Sequence, residues 1–202
     1  LGFAALNPTY ALNPTYGLQT AEDAEGAETG SAPSAVRSFA PPAKPTHLKE
    51  PAMPKVLVPL ADGCEELEAV TVIDLLRRAG VEVVVAGIKP GVVKASRGVQ
   101  LVPDTTLAAV LDDDFDMLVL PGGMPGAAHL RDDPRVIALV QKLAAAGKIT
   151  AAICAAPTVL LAAGVLAGKR ATSYPGFLDK LAPPGVTVEA AAVVEDGTVV
   201  TS

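Results

Sequence analysis

Short apolar runs alternate with longer helical patterns through most of the chain, and this alternation constrains the fold more than any other feature. The run KVLVPL (Lys55–Leu60) is almost entirely apolar, as is typical of a strand buried on both faces. Similar runs follow at Val81–Gly87, Phe115–Gly123 and Lys148–Cys154, and helical patterns lie at Glu65–Ala79, Pro134–Ala146 and Ala155–Ala163. Strands and helices that alternate in this way predict an α/β fold with a mostly parallel sheet flanked by helices.

Smaller elements are predicted around this framework. The stretch Val92–Val102 is typical of a hairpin, with Ser96-Arg97-Gly98 near its turn. Late strands are predicted at Gly185–Glu189, Ala191–Glu195 and Thr198–Thr201.

The composition of the 202-residue chain narrows the classes of function. Half of the residues are hydrophobic but only 3% are aromatic, so the predicted core consists of Ala, Val and Leu. The net charge is −6 and no Lys/Arg cluster interleaves with aromatic residues, which argues against nucleic acid or an anionic membrane as a partner. No apolar run approaches the ~18 residues that a membrane-spanning helix needs. Two Cys far apart predict free thiols rather than a disulfide, and with two His they lack zinc-ligand spacing, so we expect no metal.

The first fifty residues have a different character from the rest. They contain the repeat ALNPTY at Ala5–Tyr10 and again at Ala11–Tyr16, then an acidic stretch and a segment rich in Pro, Ala and Ser. No helix or strand period persists there, so we predict a disordered extension over residues 1–50 and one domain over 51–202. We expect a cytoplasmic protein. The segment Ser31–Lys49 leaves delivery to a chloroplast or mitochondrion open, although the acidic residues upstream are unusual in transit peptides.

Cys154 lies where a predicted buried strand turns directly into a helix, among small residues that allow a tight bend. This is the logic of a nucleophile elbow, although the hydrolase pattern G-x-S-x-G is absent. Amide donors at the start of the helix predict a thiol pKa below the ~8.5 of a free cysteine. The spacing alone leaves a buried structural cysteine equally open.

Glu68 lies on the apolar stripe of the first predicted helix, in line with Val72, Leu75, Leu76 and Ala79. A carboxyl group among apolar side chains resists ionisation, so we expect its pKa to be raised. The alternative is that Glu68, like the acidic residues just before it, merely favours the N-terminus of the helix.

Four further residues near the predicted strand ends are candidates of lower weight. Gly122 and Gly123 follow a strand and could present backbone amides to an oxyanion, although glycine is also common in simple turns. Cys64, in a predicted turn, is a secondary target for oxidation at most. His129 is the single histidine of the predicted domain, and we expect it to be exposed.

Three segments at the predicted strand ends carry a family resemblance. They are LADGCEELEAV (Leu60–Val70), LPGGMPGA (Leu120–Ala127) and AAICAAPTVLLA (Ala151–Ala162). Over about Lys55–Ser202 the chain resembles the Parkinsonism-associated deglycase family, the DJ-one branch of the DJ-one/PfpI superfamily. The resemblance implies a flavodoxin-like three-layer sandwich that forms a homodimer and works without a metal or nucleotide cofactor.

The resemblance also implies roles for individual residues. Cys154 would be the nucleophile and redox-sensitive thiol, and Glu68 a protonated acid hydrogen-bonded to it. The backbone amides of Gly123 and Ala155 would form the oxyanion pocket.

Two departures from the family accompany these roles. Tyr174, within ATSYPG, takes a position at which the branch often has a histidine, so we treat Tyr174 and Gly122 as accessory residues. The family usually continues after VVTS with a loop rich in Gly and Pro and a final helix. This sequence stops at Ser202, and we expect those two elements to be missing from it.

The function implied is the detoxification of reactive dicarbonyls such as methylglyoxal, by a thiolate that forms a hemithioacetal while Glu68 shuttles a proton. The same chemistry on glycated protein adducts would be a deglycase activity. The alternative is a non-enzymatic redox sensor or chaperone, in which Cys154 is oxidised to a sulfinate. Because both functions need an accessible, reactive thiol, the sequence leaves both open.

Overall fold

The computed structural model describes residues 53–181 and 183–202. Its strands, in chain order, are β1 (Lys55–Leu60), β2 (Glu82–Gly87), β3 (Val93–Lys94), β4 (Gln100–Leu101), β5 (Thr105–Thr106), β6 (Met117–Leu120), β7 (Ile149–Ala152), β8 (Arg170–Ala171), β9 (Thr187–Val188), β10 (Val194–Asp196) and β11 (Val199–Thr201). Its α-helices are α1 (Glu66–Arg78), α2 (Gly126–Asp132), α3 (Pro134–Ala145), α4 (Pro157–Ala162) and α5 (Leu178–Leu181), and a 3-10 turn covers Leu107–Ala109.

Seven of the strands form one sheet in the order β10-β11-β7-β6-β1-β2-β5. All neighbours in it are parallel except β10 and β11, which pair antiparallel. The predicted α/β class with a mostly parallel sheet is therefore confirmed. Strands β3 and β4 form the predicted hairpin, and β8 and β9 form a small separate parallel pair.

The sheet separates two hydrophobic clusters, which gives the domain three layers. On one face, Ala127 of α2, Leu139 of α3 and Leu160 of α4 pack against the sheet. On the other face, Ala69 of α1 is buried with strand residues such as Val58. The side chains of both clusters are largely Ala, Val and Leu, as the composition predicted.

The first helix buries a slightly different stripe from the one predicted. Leu75 and Ala79 are exposed, and the apolar side chains that pack toward the sheet are Val72, Ile73 and Leu76. The helix has 3.6 residues per turn, so steps of four residues from Glu68 to Val72 and Leu76 stay on its buried face. The step of three residues from Val72 to Leu75 rotates in the opposite direction and leads away from that face.

Several short elements were missed or misplaced by the sequence pattern. The late strand predicted from Ala191 begins only at Val194, and α2, β5, β8 and α5 carried no separate signal in the sequence. The extension predicted over residues 1–50 lies outside the described residues. Among the helices of residues 53–181 and 183–202, none combines the length and apolar character required to cross a membrane.

Candidate active site

The carboxyl ends of β1, β6 and β7 meet at one edge of the sheet, because these strands are parallel neighbours. Leu120 at the end of β6 pairs in register with Ala152 at the end of β7. Two residues beyond this pair, Gly122 and Cys154 lie side by side. The loop after β1 leads into α1, which brings Glu68 to the same place. The three segments singled out in the sequence thus converge here.

Cys154 occupies a tight bend between β7 and α4. Its φ of 60° is left-handed, and no other non-glycine residue within 53–181 or 183–202 has a positive φ. Such a conformation costs about 1–3 kcal/mol and persists only where neighbours enforce it. Its backbone N–H donates to the carbonyl of Ser202 (2.7 Å), and its carbonyl accepts from the N–H of Tyr174 (2.8 Å). The elbow predicted from the small flanking residues is therefore present and held from both sides.

Glu68 reaches the bend from the first turn of α1. Its side chain is partly buried, and its Oε2 accepts a hydrogen bond from the backbone N–H of Gly122 (2.8 Å). The helix begins at Glu66 because Glu65 caps it: Oε2 of Glu65 accepts a hydrogen bond from the N–H of Glu68 (2.8 Å).

Gly122 lies between Cys154 and the carboxyl group of Glu68, where it has no side chain to separate them. A Cβ placed on Gly122 would lie 2.7 Å from the Cβ of Cys154 and 2.7 Å from the Oε2 of Glu68. These two atoms are consequently separated by no more than twice that distance. The absence of a side chain at this position is what allows the two residues to face each other.

Burial, neighbouring backbone amides and the contact between the two groups control the ionisation of this pair. Burial raises the pKa of the Glu68 carboxyl, as the sequence predicted, although the Gly122 amide opposes the rise. Burial also raises the pKa of the Cys154 thiol, and the neighbouring Glu68 carboxyl adds to this effect. The backbone amides of Gly123 and Ala155 act on the thiol pKa in the opposite direction.

The predicted low pKa of Cys154 is therefore wrong. That prediction considered only the start of the following helix, and α4 begins at Pro157, beyond the sulfur, and spans just six residues. The amides do favour the thiolate, but the cost of burying a second anion next to Glu68 is larger.

Three further candidate residues, Tyr174, His129 and Cys64, differ in their exposure and in their contacts. Tyr174 contributes its backbone N–H to the elbow, while its ring is exposed and packs edge-on against Phe177. His129 is exposed, as predicted, and its Nδ1 lies 2.9 Å from the carbonyl oxygen of Asp62. Cys64 is fully buried in the cluster beneath α1, and burial raises its thiol pKa to about 11.

Within the described residues, Cys154 belongs to no cluster that could hold a metal ion, and it does not line the cavity formed around Thr172, Asp179 and Glu189. In the part of the chain that the structure describes, no three His, Cys, Asp or Glu side chains come together in a way that could hold a metal ion. That cavity has a volume of about 770 Å³ and adjoins Tyr174, because Ser173 and Pro175 also line it.

Glu65 contributes to the site in a way that the sequence analysis did not predict. The sequence indicates only an acidic residue near the N-terminus of a helix. Its backbone N–H donates to the carbonyl of Gly122 (2.9 Å), so Glu65 joins α1 to the glycine loop. The spacing Glu65-x-x-Glu68, which resembles a capping box, was the available signal.

Comparison with known proteins gives a consistent family assignment. A model of the DJ-1/PfpI family matches residues 54–202. Protein dj-1beta of Drosophila melanogaster is 47% identical over 147 residues, which are 72% of this chain and 79% of the fly protein. Protein DJ-1 homolog A of Arabidopsis thaliana is 44% identical over 149 residues, 73% of this chain but 38% of the plant protein. Deglycase PYRAB04690 of Pyrococcus abyssi (strain GE5 / Orsay) is 38% identical over 148 residues, 73% of this chain and 89% of that protein.

Solved structures agree with the observed fold. The crystal structure of Drosophila melanogaster DJ-1beta superposes with a TM-score of 0.71 and 43% identity, over 74% of this chain and 81% of that one. The oxidized form of Toxoplasma gondii DJ-1 gives a TM-score of 0.70 and 44% identity, over 73% and 80% of the two chains.

Proposed function

The chain belongs to the DJ-1/PfpI family, and from that premise we propose that it converts reactive dicarbonyls such as methylglyoxal into 2-hydroxy acids by cysteine chemistry. The observation that supports this proposal is the placement of the Cys154 thiol against the Glu68 carboxyl and the amides of Gly123 and Ala155. The relative from Pyrococcus abyssi is named a deglycase. The same chemistry applied to glycated Cys, Lys or Arg adducts of proteins is a deglycase reaction.

The first step is addition of the Cys154 sulfur to the aldehyde carbon. A C–S bond forms, the thiol proton passes to a carboxylate oxygen of Glu68, and the π electrons of the carbonyl move onto its oxygen. The N–H groups of Gly123 and Ala155 stabilise this oxyanion. Glu68 then returns its proton to the oxyanion, which completes a hemithioacetal.

The second step moves hydrogen between the two former carbonyl carbons. The Glu68 carboxylate removes the hydrogen of the former aldehyde carbon as a proton, and an enediol forms. Reprotonation of the adjacent carbon leaves a thioester of the 2-hydroxy acid. Water cleaves the C–S bond and regenerates the Cys154 thiol, so methylglyoxal and one water give lactate, with no external oxidant or reductant.

A redox sensor or chaperone is the second candidate, because the same accessible thiol could react with peroxide. Two equivalents of hydrogen peroxide would convert the Cys154 thiolate to a sulfinate and release two waters. The related structure of Toxoplasma gondii DJ-1 is that of an oxidized protein, which favours this alternative over other non-enzymatic functions.

The two candidates are separated by comparing wild type with Cys154→Ala and Glu68→Gln. We expect methylglyoxal turnover to disappear in the first variant and to fall by at least about 100-fold in the second, the usual contribution of general acid–base catalysis. Intact mass after mild peroxide treatment is measured in parallel. Absence of turnover in wild type, together with ready addition of two oxygen atoms at Cys154, would exclude the enzyme and support the sensor.

We also propose that the protein is a cytoplasmic homodimer that uses the outer face of α1. Leu67 and Val70 are exposed on this helix, and Val99 is exposed on the hairpin whose turn is bound by Glu66. Exposed apolar side chains on neighbouring elements can form a patch of the kind that marks protein interfaces.

A further inference from the structure

Three hydrogen bonds form a closed ring that joins α1 to the glycine loop beside the thiol. The N–H of Gly122 donates to Oε2 of Glu68 (2.8 Å), and the N–H of Glu68 donates to Oε2 of Glu65 (2.8 Å). The N–H of Glu65 donates to the carbonyl of Gly122 (2.9 Å), which closes the ring. Each of the three residues is thereby both a donor and an acceptor.

We propose that Glu65 is a positioning residue that holds the Glu68 carboxyl against the thiol of Cys154 by closing this ring. The proposal deepens the proposed function and rests on it for its catalytic consequence. Glu65 itself does not touch the reacting sulfur; it acts through Glu68.

The packing around the ring explains why a single cap can control the carboxyl. A Cβ on Gly123 would collide with the backbone N of Glu65 and would lie 2.7 Å from the carbonyl carbon of Cys64. The glycine loop and the start of α1 are therefore in direct backbone contact. The first turn of α1 is bound to the glycine loop at two points, through the N–H of Glu65 and the carboxyl group of Glu68. The Glu68 side chain therefore has little freedom to leave the Gly122 amide.

The charge of Glu65 supports the same assignment. Burial is the main cause of the raised pKa of Glu68, and the negative charge of Glu65 raises it further. The titratable groups that face Glu68 are thus Glu65 on its own helix and Cys154 on the elbow, while the glycine loop contributes only amides.

Three substitutions of Glu65, to Ala, Gln and Asp, separate the effect of its capping hydrogen bond from the effect of its negative charge. Ala removes both, Gln keeps an oxygen acceptor without charge, and Asp keeps both because it is a strong N-cap residue. Asp133→Ala is the matched control, since Asp133 caps α3 through the N–H of Arg135 (2.9 Å) and lies outside the ring. A cap removed at either position costs ~1 kcal/mol of stability, and Asp133→Ala also removes the ion pair between Asp133 and Arg135.

We expect kcat for methylglyoxal to fall at least about tenfold in Glu65→Ala, with little change in KM. The substitution should displace Glu68 from Cys154 but leave the contacts that bind the substrate in place. Glu65→Asp should restore kcat to within about threefold and Glu65→Gln should lie between them. Asp133→Ala should lose stability and keep its kcat. Equal kcat losses in Glu65→Ala and Asp133→Ala, or no loss in Glu65→Ala, would overturn the proposal.

The alkylation rate of Cys154 by iodoacetamide tests the proposal even if wild type has no turnover. Release of Glu68 from the thiol removes an influence that raises the pKa of Cys154, so Glu65→Ala should be alkylated faster at neutral pH. In a Glu68→Ala background, the same change at Glu65 should have no further effect. An equal effect of Glu65→Ala in both backgrounds would show that it does not act through Glu68.

Discussion

Gly122→Ala is the substitution for which the geometry of the site gives the sharpest expectation. Gly122 is buried and its φ lies outside the left-handed region, so alanine is allowed by the backbone and opposed only by its neighbours. The added methyl group would lie 2.7 Å from the Cβ of Cys154, 2.7 Å from Oε2 of Glu68 and 2.8 Å from the carbonyl oxygen of Ile153. Ordinary contact begins at 3.4 Å, so Cys154 and Glu68 would each have to retreat by about 0.7 Å and the Ile153 carbonyl by about 0.6 Å.

The three neighbours differ in their ability to move. Cys154 is fixed by main-chain hydrogen bonds at both its N–H and its carbonyl, and the carbonyl of Ile153 accepts from the N–H of Ala156 (2.9 Å). The carboxyl of Glu68 is the end of a flexible side chain and will move first. Its displacement breaks the contact with the Gly122 amide and separates the carboxyl from the thiol.

We therefore expect Gly122→Ala to lose about 100-fold in methylglyoxal turnover, the usual cost of a misplacement near 1 Å. Overpacking should lower the free energy of unfolding by about 1–3 kcal/mol. Initial rates and urea unfolding measure the two effects separately.

A matched control distinguishes displacement of the pair from general instability. Gly147 has a φ of +67°, and no atom outside its immediate chain neighbours lies within 4 Å of the position that a Cβ would take. Gly147→Ala therefore introduces backbone strain of about 1–2 kcal/mol without a collision. This variant should keep its turnover within about twofold. Turnover of Gly122→Ala within threefold of wild type, or an equal loss in Gly147→Ala, would refute the reasoning.

The remaining predictions concern stability and assembly. A free cysteine thiol loses its proton at pH ~8.5, whereas burial raises the folded pKa of Cys64 to about 11, so stability should fall by about 3 kcal/mol as pH rises through this window. Urea titrations at several pH values should show that Cys64→Ala lacks this part of the fall, and an equal fall in the variant would contradict the assignment. Leu67→Glu places a charge on the exposed face of α1 and should halve the mass measured by light scattering, whereas an unchanged mass would remove this face from the interface.

The larger elements of the fold could be predicted because each carries a strong local signal. Strands β1 and β2 are nearly continuous apolar runs, and α3 begins with Asp133 as its cap and a proline in its first turn. The helix α2 escaped prediction because its N-cap, Pro125, makes no side-chain cap and only seven residues follow. The two-residue strand β8 exists through its pairing with β9, which no local pattern around β8 records.

The site was predictable in its position but not in its electrostatics. Parallel strands end at one edge of a sheet, so Cys154, Glu68 and the glycine loop could be expected to converge from topology alone. The pKa of Cys154 depends first on burial and then on a carboxyl group that approaches from a different strand–helix unit. A sequence pattern around Cys154 contains the amides that favour the thiolate, but not the buried anion that opposes it.

These opposing influences explain how one proton can be shared by the pair. Burial penalises a negative charge on either group, and the Glu68 carboxylate further penalises a negative charge on Cys154, so one negative charge on the pair is favoured over two. The amides of Gly123 and Ala155 favour that charge on sulfur, and the amide of Gly122 favours it on Glu68. Backbone N–H donors therefore face both the sulfur and the carboxylate. When the proton moves from the sulfur to the carboxylate, one stabilised anion is exchanged for another. That balance is what the proposed addition step requires, since Glu68 must accept the thiol proton as the C–S bond forms and then release it.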